Sequence, residues 1–362
     1  MKITVLVDSN EFWDSLKPDI LHSKDYVYIQ TMSFEGDNVG KQLTNLLLSS
    51  SSRDRRLSVD DYSKYVISDK YLLFHRNFLN SELHYEASET ARLIEHLSKN
   101  GVQAKFTNPV RPFFTNFAKR NHKKLVVIDD QIVYLGGINF CEHNFHWHDM
   151  MLKIEDSDIA KFLKSDFLAS WNNKSMSISK SFGKIKIYIL NGTSNEIIFT
   201  EIFKIFKHSK KRIIVESPYI TFPFLDELKK LQQKNIKVTI ITPETNNRKP
   251  FDGYIRHESL KSNFDLRLYK GRMTHLKMML IDDSYLIVGS SNFDYSSYRA
   301  QQEILAIITD KEVIAEIKKK VIAEDLKKSN KFTNNRPRLT DFILSLILKY
   351  FLRLSVNLTS IR

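Results

Sequence analysis

Two rhythms of apolar and polar positions alternate along this chain. Residues 212–215 form a short apolar run, 224–233 carry apolar residues at three- and four-residue spacing, and 237–241 return to a continuous run. The first and third predict strands, the second a helix. The first half shows the same alternation: 28–34 precede a helical pattern at 39–48, and another helical pattern covers 82–97. An α/β architecture follows, with helices covering the sheet faces. The Ser/Lys-rich stretch 172–184 lacks a strong period and marks a joint.

The pattern on either side of that joint is the same pattern twice. Residues 122–140 align with 275–293 at an offset of 153 without a gap, and eight of 19 positions are identical. Six of the eight are polar residues or glycine, whereas unrelated core strands would agree in apolar residues. Upstream, 28–34 resembles 214–220. The gap from Phe34 to His122 is 88 residues, against 55 from Ile220 to His275, so the first half holds about 33 extra residues, placed in 70–100.

The repeated segment contains chemistry. His122 and Lys124 open an apolar run, as do His275 and Lys277. Strand side chains alternate faces, so each His/Lys pair shares one face. A turn follows at Asp129-Asp130 and at Asp282-Asp283, and a return strand leads to Gly136-Gly137 and to Gly289-Ser290. Glycine permits close backbone approach there. Asn139 and Asn292 come just after. A lysine charge and an asparagine amide suit a phosphate, and histidine adds a nucleophile or proton carrier. Each histidine needs an orienting acceptor. Asp149 lies 27 residues after His122 and Glu303 lies 28 after His275, each just before an apolar run. One His-x-Lys on a strand is more often a surface coincidence than a site. Two gap-free copies with matched later carboxylates are not.

Charge and composition narrow the partners. The 362 residues hold 55 Lys and Arg against 42 Asp and Glu, a net charge of +13, which suits nucleic acid or an anionic membrane. A single cysteine, Cys141, excludes an intrachain disulfide and any multi-cysteine metal site. The N-terminal apolar run is too short for a secretory signal, and no stretch of 18 uninterrupted apolar residues occurs, so neither a signal nor a span is expected. Residues 341–358 differ from the rest. Polar residues at 341, 345, 349, 353 and 357 leave a narrow polar stripe on an otherwise apolar helix, and 311–362 hold a net +7. An interfacial helix on an anionic bilayer fits this pattern, and docking on the protein core is the alternative.

The two motifs resemble the signature of the phospholipase D superfamily. That signature reads His-x-Lys, four residues, Asp, six residues, Gly-Gly or Gly-Ser, then Asn. The resemblance covers most of 25–310. Arg120-Asn121-His122, the Gly136-to-Asn139 segment and Trp147-His148-Asp149 are similar to segments of cardiolipin synthases and related phosphatidyltransferases. The resemblance implies two similar domains, each a mixed β-sheet flanked by helices, related by a pseudo-twofold around one shared active site. Their expected bounds are 1–175 and 185–330, followed by a basic linker and helix at 331–362. It implies a catalytic set of His122, Lys124, Asp129, His275, Lys277 and Asp282. Gly136, Gly137, Asn139, Gly289, Ser290, Asn292, Asp149 and Glu303 would support it. By family analogy His122 is the nucleophile, forming a phosphohistidine, and His275 the acid and base. The two aspartates sit in turns, where a structural part is the other reading.

The expected substrate is therefore a membrane phospholipid, handled on the cytosolic face without metal, cofactor or obligatory protein partner. A nuclease of the same superfamily is the runner-up. Two motifs in one chain and the apolar tail favour lipid. A catalytically silent membrane-binding protein is disfavoured by the two intact motifs. His143, His146 and His148 match no zinc spacing and read as loop or pocket lining. Cys141 reads as a small packed side chain. Residues 49–56, four serines then Arg-Asp-Arg-Arg, read as a solvated turn.

Overall fold

The structure, a computed structural model, describes residues 1–333 and 338–360. The chain forms two compact units, Met1–Met176 and Ser177–Arg362. Of the expected basic linker and helix at 331–362, residues 334–337 and 361–362 lie outside the described residues.

In the first unit the strands are β1 (Lys2–Val7), β2 (Tyr26–Thr31), β3 (Asp54–Asp60), the short pair β4 (Val66–Ile67) and β5 (Lys70–Tyr71), β6 (Gln103–Thr107), β7 (Leu125–Ile128), β8 (Ile132–Gly136) and β9 (Met150–Glu155). Seven of them form one sheet in the order β1-β9-β8-β7-β2-β3-β6. Only the β2–β3 and β3–β6 pairings are parallel, so the sheet is mixed. The second unit holds β10 (Ile178–Phe182), β11 (Ile185–Asn191), β12 (Arg212–Glu216), β13 (Lys237–Pro243), β14 (Asp265–Tyr269), β15 (Met278–Ile281), β16 (Tyr285–Gly289), β17 (Gln302–Ile308) and β18 (Ser329–Lys331). Their order is β10-β11-β17-β16-β15-β12-β13-β14-β18. Without the edge strands β10 and β18 this is the first sheet again, strand for strand. The sequence repeat is thus a repeat of topology.

Helices cover both faces of the first sheet. Phe12, Leu16 and Ile20 of the helix Asp8–His22, with Leu43 and Leu47 of the helix Asn38–Ser49, pack on Val27, Ile29, Leu57 and Val126. Tyr28 points the other way and stacks on Phe167 of the helix Ser157–Trp171, with ring centroids 4.8 Å apart. Strands clothed on both sides are read as continuous apolar runs, which is why 125–128 shows no alternation. Side-chain caps start the helices: Asp37 accepts from the Gly40 amide, Asn80 from Leu83, and Asp156 from Asp158 and Ile159.

The extra residues of the first half lie mainly between β3 and β6. They hold the β4–β5 pair, a helical turn at His75–Phe78 and the helix Ser81–Lys99, where the second unit has only the helix Lys249–Ser262. A smaller share lies between β6 and β7. The insertion leaves Leu73, Phe74, Phe78 and Leu79 exposed.

Candidate active site

Each His-x-Lys motif lies just before the strand that pairs with the parallel part of its sheet. In the first unit His122 and Lys124 are buried ahead of β7, and the Lys124 ammonium donates to the His122 carbonyl at 2.8 Å. Lys123, between them, points to the opposite face. Its ammonium is wholly buried between Asp166, at 2.7 and 2.8 Å, and Ser170 Oγ at 3.0 Å. Alternation along an extended chain thus puts the two motif side chains together and sends the middle lysine to the helix Ser157–Trp171. In the second unit His275 and Lys277 are buried ahead of β15. Lys277 Nζ lies 2.8 Å from His275 Nδ1 and also donates to the His275 carbonyl. The middle residue is Leu276, fully buried without a charge.

The motif aspartates are elsewhere. Asp129 was expected in the catalytic set, but it follows β7 while His122 precedes it, separated by roughly 20 Å of extended chain. Its carboxylate accepts from the amides of Lys24 (2.7 Å), Asp25 (2.9 Å) and Tyr26 (2.8 Å), fixing the start of β2. Asp282 does the same in the second unit, accepting from the amides of Lys210, Lys211 (2.9 Å) and Arg212 (2.8 Å) at the start of β12. Burial opposes ionisation of Asp282, but these amides hold its carboxyl below the usual range. Both aspartates are register anchors. They keep β2 and β12 aligned with the motif strands.

The glycine turns serve close approach. A Cβ on Gly289 would stand 2.1 Å from the Ile304 carbonyl of β17, and its φ of 154° suits glycine. A Cβ on Gly137 would lie 2.3 Å from Asp149 Oδ1, so the carboxylate packs directly on the glycine. Ser290, at the matching place, instead donates from Oγ to Glu303 Oε2, while Ser297 donates to Glu303 Oε1 at 2.7 Å. Asp149 and Glu303 are both buried. Each sits against the glycine turn of its own unit. Gly137→Ser is therefore expected to displace Asp149 and lower kcat about 100-fold, the cost of a misplacement of about 1 Å. Steady-state kinetics with circular dichroism checks this, and near-normal turnover would detach Asp149 from the site.

Asn139 and Asn292 are buried beside these turns but differ in their bonds. Asn139 Oδ1 accepts from Thr31 Oγ1 and the Ser33 amide, both at 3.2 Å, and its Nδ2 donates to Asn144 Oδ1 at 2.7 Å. Asn292 Oδ1 has no hydrogen-bond partner among the described residues.

Several functional neighbours escaped sequence reasoning. Asp60, at the end of β3, is fully buried. It accepts from Arg120 Nη1 (2.9 Å), the Asn121 amide (2.7 Å), the Tyr62 amide (2.8 Å) and Asn108 Nδ2 (2.7 Å), fixing the backbone next to His122. Tyr219 lies edge-on to His275, with centroids 5.8 Å apart, and donates to Asn247 Oδ1. No local spacing announces either.

The three loop histidines go separate ways. His148 Nδ1 meets Asp8 Oδ1 at 2.7 Å, and His146 ends the short helix Glu142–Phe145. His143 lies between Glu35 (3.4 Å) and Asp69 (3.5 Å) and 3.9 Å from the sulfur of the buried Cys141. Glu35, Asp37 and Glu86 bring their carboxylates together beside it. Burial, then Glu35 and Asp37, push the Glu86 carboxyl from its ordinary 4.5 up to about 7. Burial works against the His143 charge, yet Glu35 and Asp69 hold its pKa above the ordinary value. Both folded-state values are raised. Their stabilisation is fully present below the unfolded values and is lost as pH rises through the folded ones. The melting temperature is expected to fall from about pH 5 to above pH 7, and Glu86→Gln is expected to flatten that slope. An unchanged slope in the variant would remove Glu86 as its source.

Relatives match this arrangement. The family described as "Cardiolipin synthase, PLD-like domain" matches residues 16–171 and 202–324, so both motifs and most strands of both sheets fall inside it. Cardiolipin synthase 2 of Staphylococcus epidermidis is 26% identical over 362 aligned residues, covering 92% of this chain and 69% of that protein. The major cardiolipin synthase of Bacillus subtilis is 24% identical, covering 91% and 70%. Among solved structures, the phosphatidylserine synthase of Haemophilus influenzae superposes with a TM-score of 0.71 at 15% identity, covering 97% of this chain and 93% of that one. The polyphosphate kinase of Porphyromonas gingivalis superposes with a TM-score of 0.60 over 98% of this chain and 53% of its own. These two likenesses concern the fold. With a family match over most of its length and both signature motifs in place, the chain belongs to the phospholipase D superfamily, in the cardiolipin synthase-like branch of phospholipase D-type domains.

Proposed function

We propose that this cardiolipin synthase-like phosphatidyltransferase works by double displacement through the histidines of its two motifs. The supporting observation is the doubled, buried His/Lys pair before equivalent strands of one repeated topology. In the first step a ring nitrogen of His122 attacks the phosphodiester phosphorus. A P–N bond forms, the P–O bond to the leaving alcohol breaks, and the imidazolium of His275 gives that oxygen its proton. In the second step neutral His275 takes the proton of an incoming hydroxyl. Its oxygen attacks phosphorus, the P–N bond breaks and His122 is restored.

The phosphoryl oxygens carry negative charge through both steps. Lys124 and Lys277 supply fixed positive charge, and Asn139 and Asn292 supply amides, each buried within its own unit, where such groups act strongly. Asp149 and Glu303 orient the histidines through the glycine turns. Asp129 and Asp282 act only as anchors of β2 and β12. The phosphatidyl donor lies in a bilayer, so the working position is the cytosolic membrane face.

Mass spectrometry of products from vesicles of mixed phospholipids, with plasmid DNA in parallel, tests the reading. A transferred or hydrolysed phosphatidyl group with intact DNA is expected. Nicked or degraded DNA with unchanged lipid would make the chain a nuclease instead.

A further inference from the structure

A surface helix ordinarily buries its apolar side and shows its polar side to water. The helix Leu339–Ser360 does the reverse. The first three members of its polar stripe face the protein: Asp341 and Ser345 are buried, and Lys349 donates to Glu258 at 2.7 Å and lies over the Tyr254 ring. The Arg353 guanidinium lies over the Phe222 ring at the rim. Leu348, Leu352 and Val356 complete the docked side. The fit against the helix Lys249–Ser262 is close, since a Cβ on Gly253 would lie 2.7 Å from Leu344 Cβ. The opposite side is left with Phe342, Ile343, Leu346, Ile347, Tyr350, Phe351 and Leu354, each at least 43% exposed. Seven large side chains side by side on one helix face form the kind of exposed patch that marks an interaction site.

We infer that this outward face is the membrane-docking surface, lying flat in the headgroup region of a phospholipid bilayer with its aromatic and branched side chains among the acyl chains. The inference rests on the phospholipid reading above and specifies which surface meets the lipid. No described helix is long and apolar enough to cross a membrane, and a phospholipid substrate is reached at the bilayer surface, where an outward apolar face can enter the headgroup region. Within the exposed band the polar groups include the Tyr350 hydroxyl, Asn357, and Arg353 at its edge, a placement suited to an interface between hydrocarbon and water. A second protein copy would need polar partners and a shaped counter-surface around such a band. A bilayer needs neither. Because Lys349 is tied inward to Glu258, attachment by this face is chiefly apolar and resists salt.

Flotation of the full chain with vesicles of phosphatidylglycerol and phosphatidylethanolamine tests this. Leu346→Ser combined with Phe351→Ser changes only outward side chains and is expected to reduce the vesicle-bound fraction at least tenfold. Wild-type binding is expected to survive about 0.5 M NaCl, where surface charge is largely screened. Phe74→Ser with Leu79→Ser, on the exposed insertion of the first unit, is the comparison. Unchanged binding in the 346/351 variant, or loss only in the 74/79 variant, overturns the proposal. So does a wild-type dimer in lipid-free sedimentation that the 346/351 pair dissolves while vesicle binding persists. Turnover of a water-soluble short-chain phosphatidylglycerol by the unaltered chain tests the transferase reading separately.

Discussion

His122→Asn is expected to lower turnover about 10⁴-fold or more, on the scale seen when a nucleophile is removed from a catalytic group that acts as a unit. The substitution keeps a polar side chain of similar reach, so the buried floor and the Lys124 bond to the His122 carbonyl are retained. What goes is the ring nitrogen that bonds to phosphorus. The acid-labile phosphoenzyme should vanish with it. His275→Asn should behave differently. With a phosphatidyl ester whose leaving group is acidic enough to depart unprotonated, the first step proceeds without His275. The adduct then accumulates, because no base activates the incoming hydroxyl. Rapid-quench kinetics on the two variants separates the roles. Near-normal activity in His122→Asn would sink the assignment.

Asp60→Ala is expected to destabilise the first unit by about 3–5 kcal/mol, because it strands a buried guanidinium. Asp60 and Arg120 are both buried, and burial pushes the Asp60 carboxyl up even against the pull of Arg120. The same carboxylate fixes the amides of Asn121 and Tyr62 and the Asn108 side chain. Removing it loosens the chain next to His122, so kcat should fall although Asp60 touches no substrate. Urea unfolding measures the first effect. A loss under about 1 kcal/mol would mean that the site tolerates an unpaired Arg120, contrary to the cost of a buried unpaired charge.

Much of the fold was legible because local rhythm is a local property. Patterns at 39–48, 82–97 and 224–233 became the helices Asn38–Ser49, Ser81–Lys99 and Phe224–Gln232. The runs at 212–215 and 237–241 became β12 and β13. The motif side chains were legible for the same reason, since alternation alone separates Lys123 from His122 and Lys124. Destinations were not legible. Asp129 and Asp282 look catalytic in the signature, yet their partners are backbone amides about a hundred and about seventy residues away. Asp60 and the Glu35, Asp37 and Glu86 cluster are assembled from segments with no shared spacing. The polar stripe of the last helix was visible, but its direction was not, because a pattern shows that two faces differ without showing which one meets the protein. Strand β10 was missed for another reason: Ile178–Phe182 is an exposed edge of alternating Ser and Lys, with no apolar signal to read.

The central claim is a covalent intermediate, and trapping it is the most direct measurement. The wild-type chain would be mixed with phosphatidylglycerol vesicles, quenched in a mildly alkaline denaturant, where both phosphohistidine and the acyl esters persist, and digested for peptide mass spectrometry. The account predicts a phosphatidyl adduct on the peptide containing His122, lost on acid treatment and absent from His122→Asn. Sustained turnover with no adduct on either His122 or His275 would contradict it.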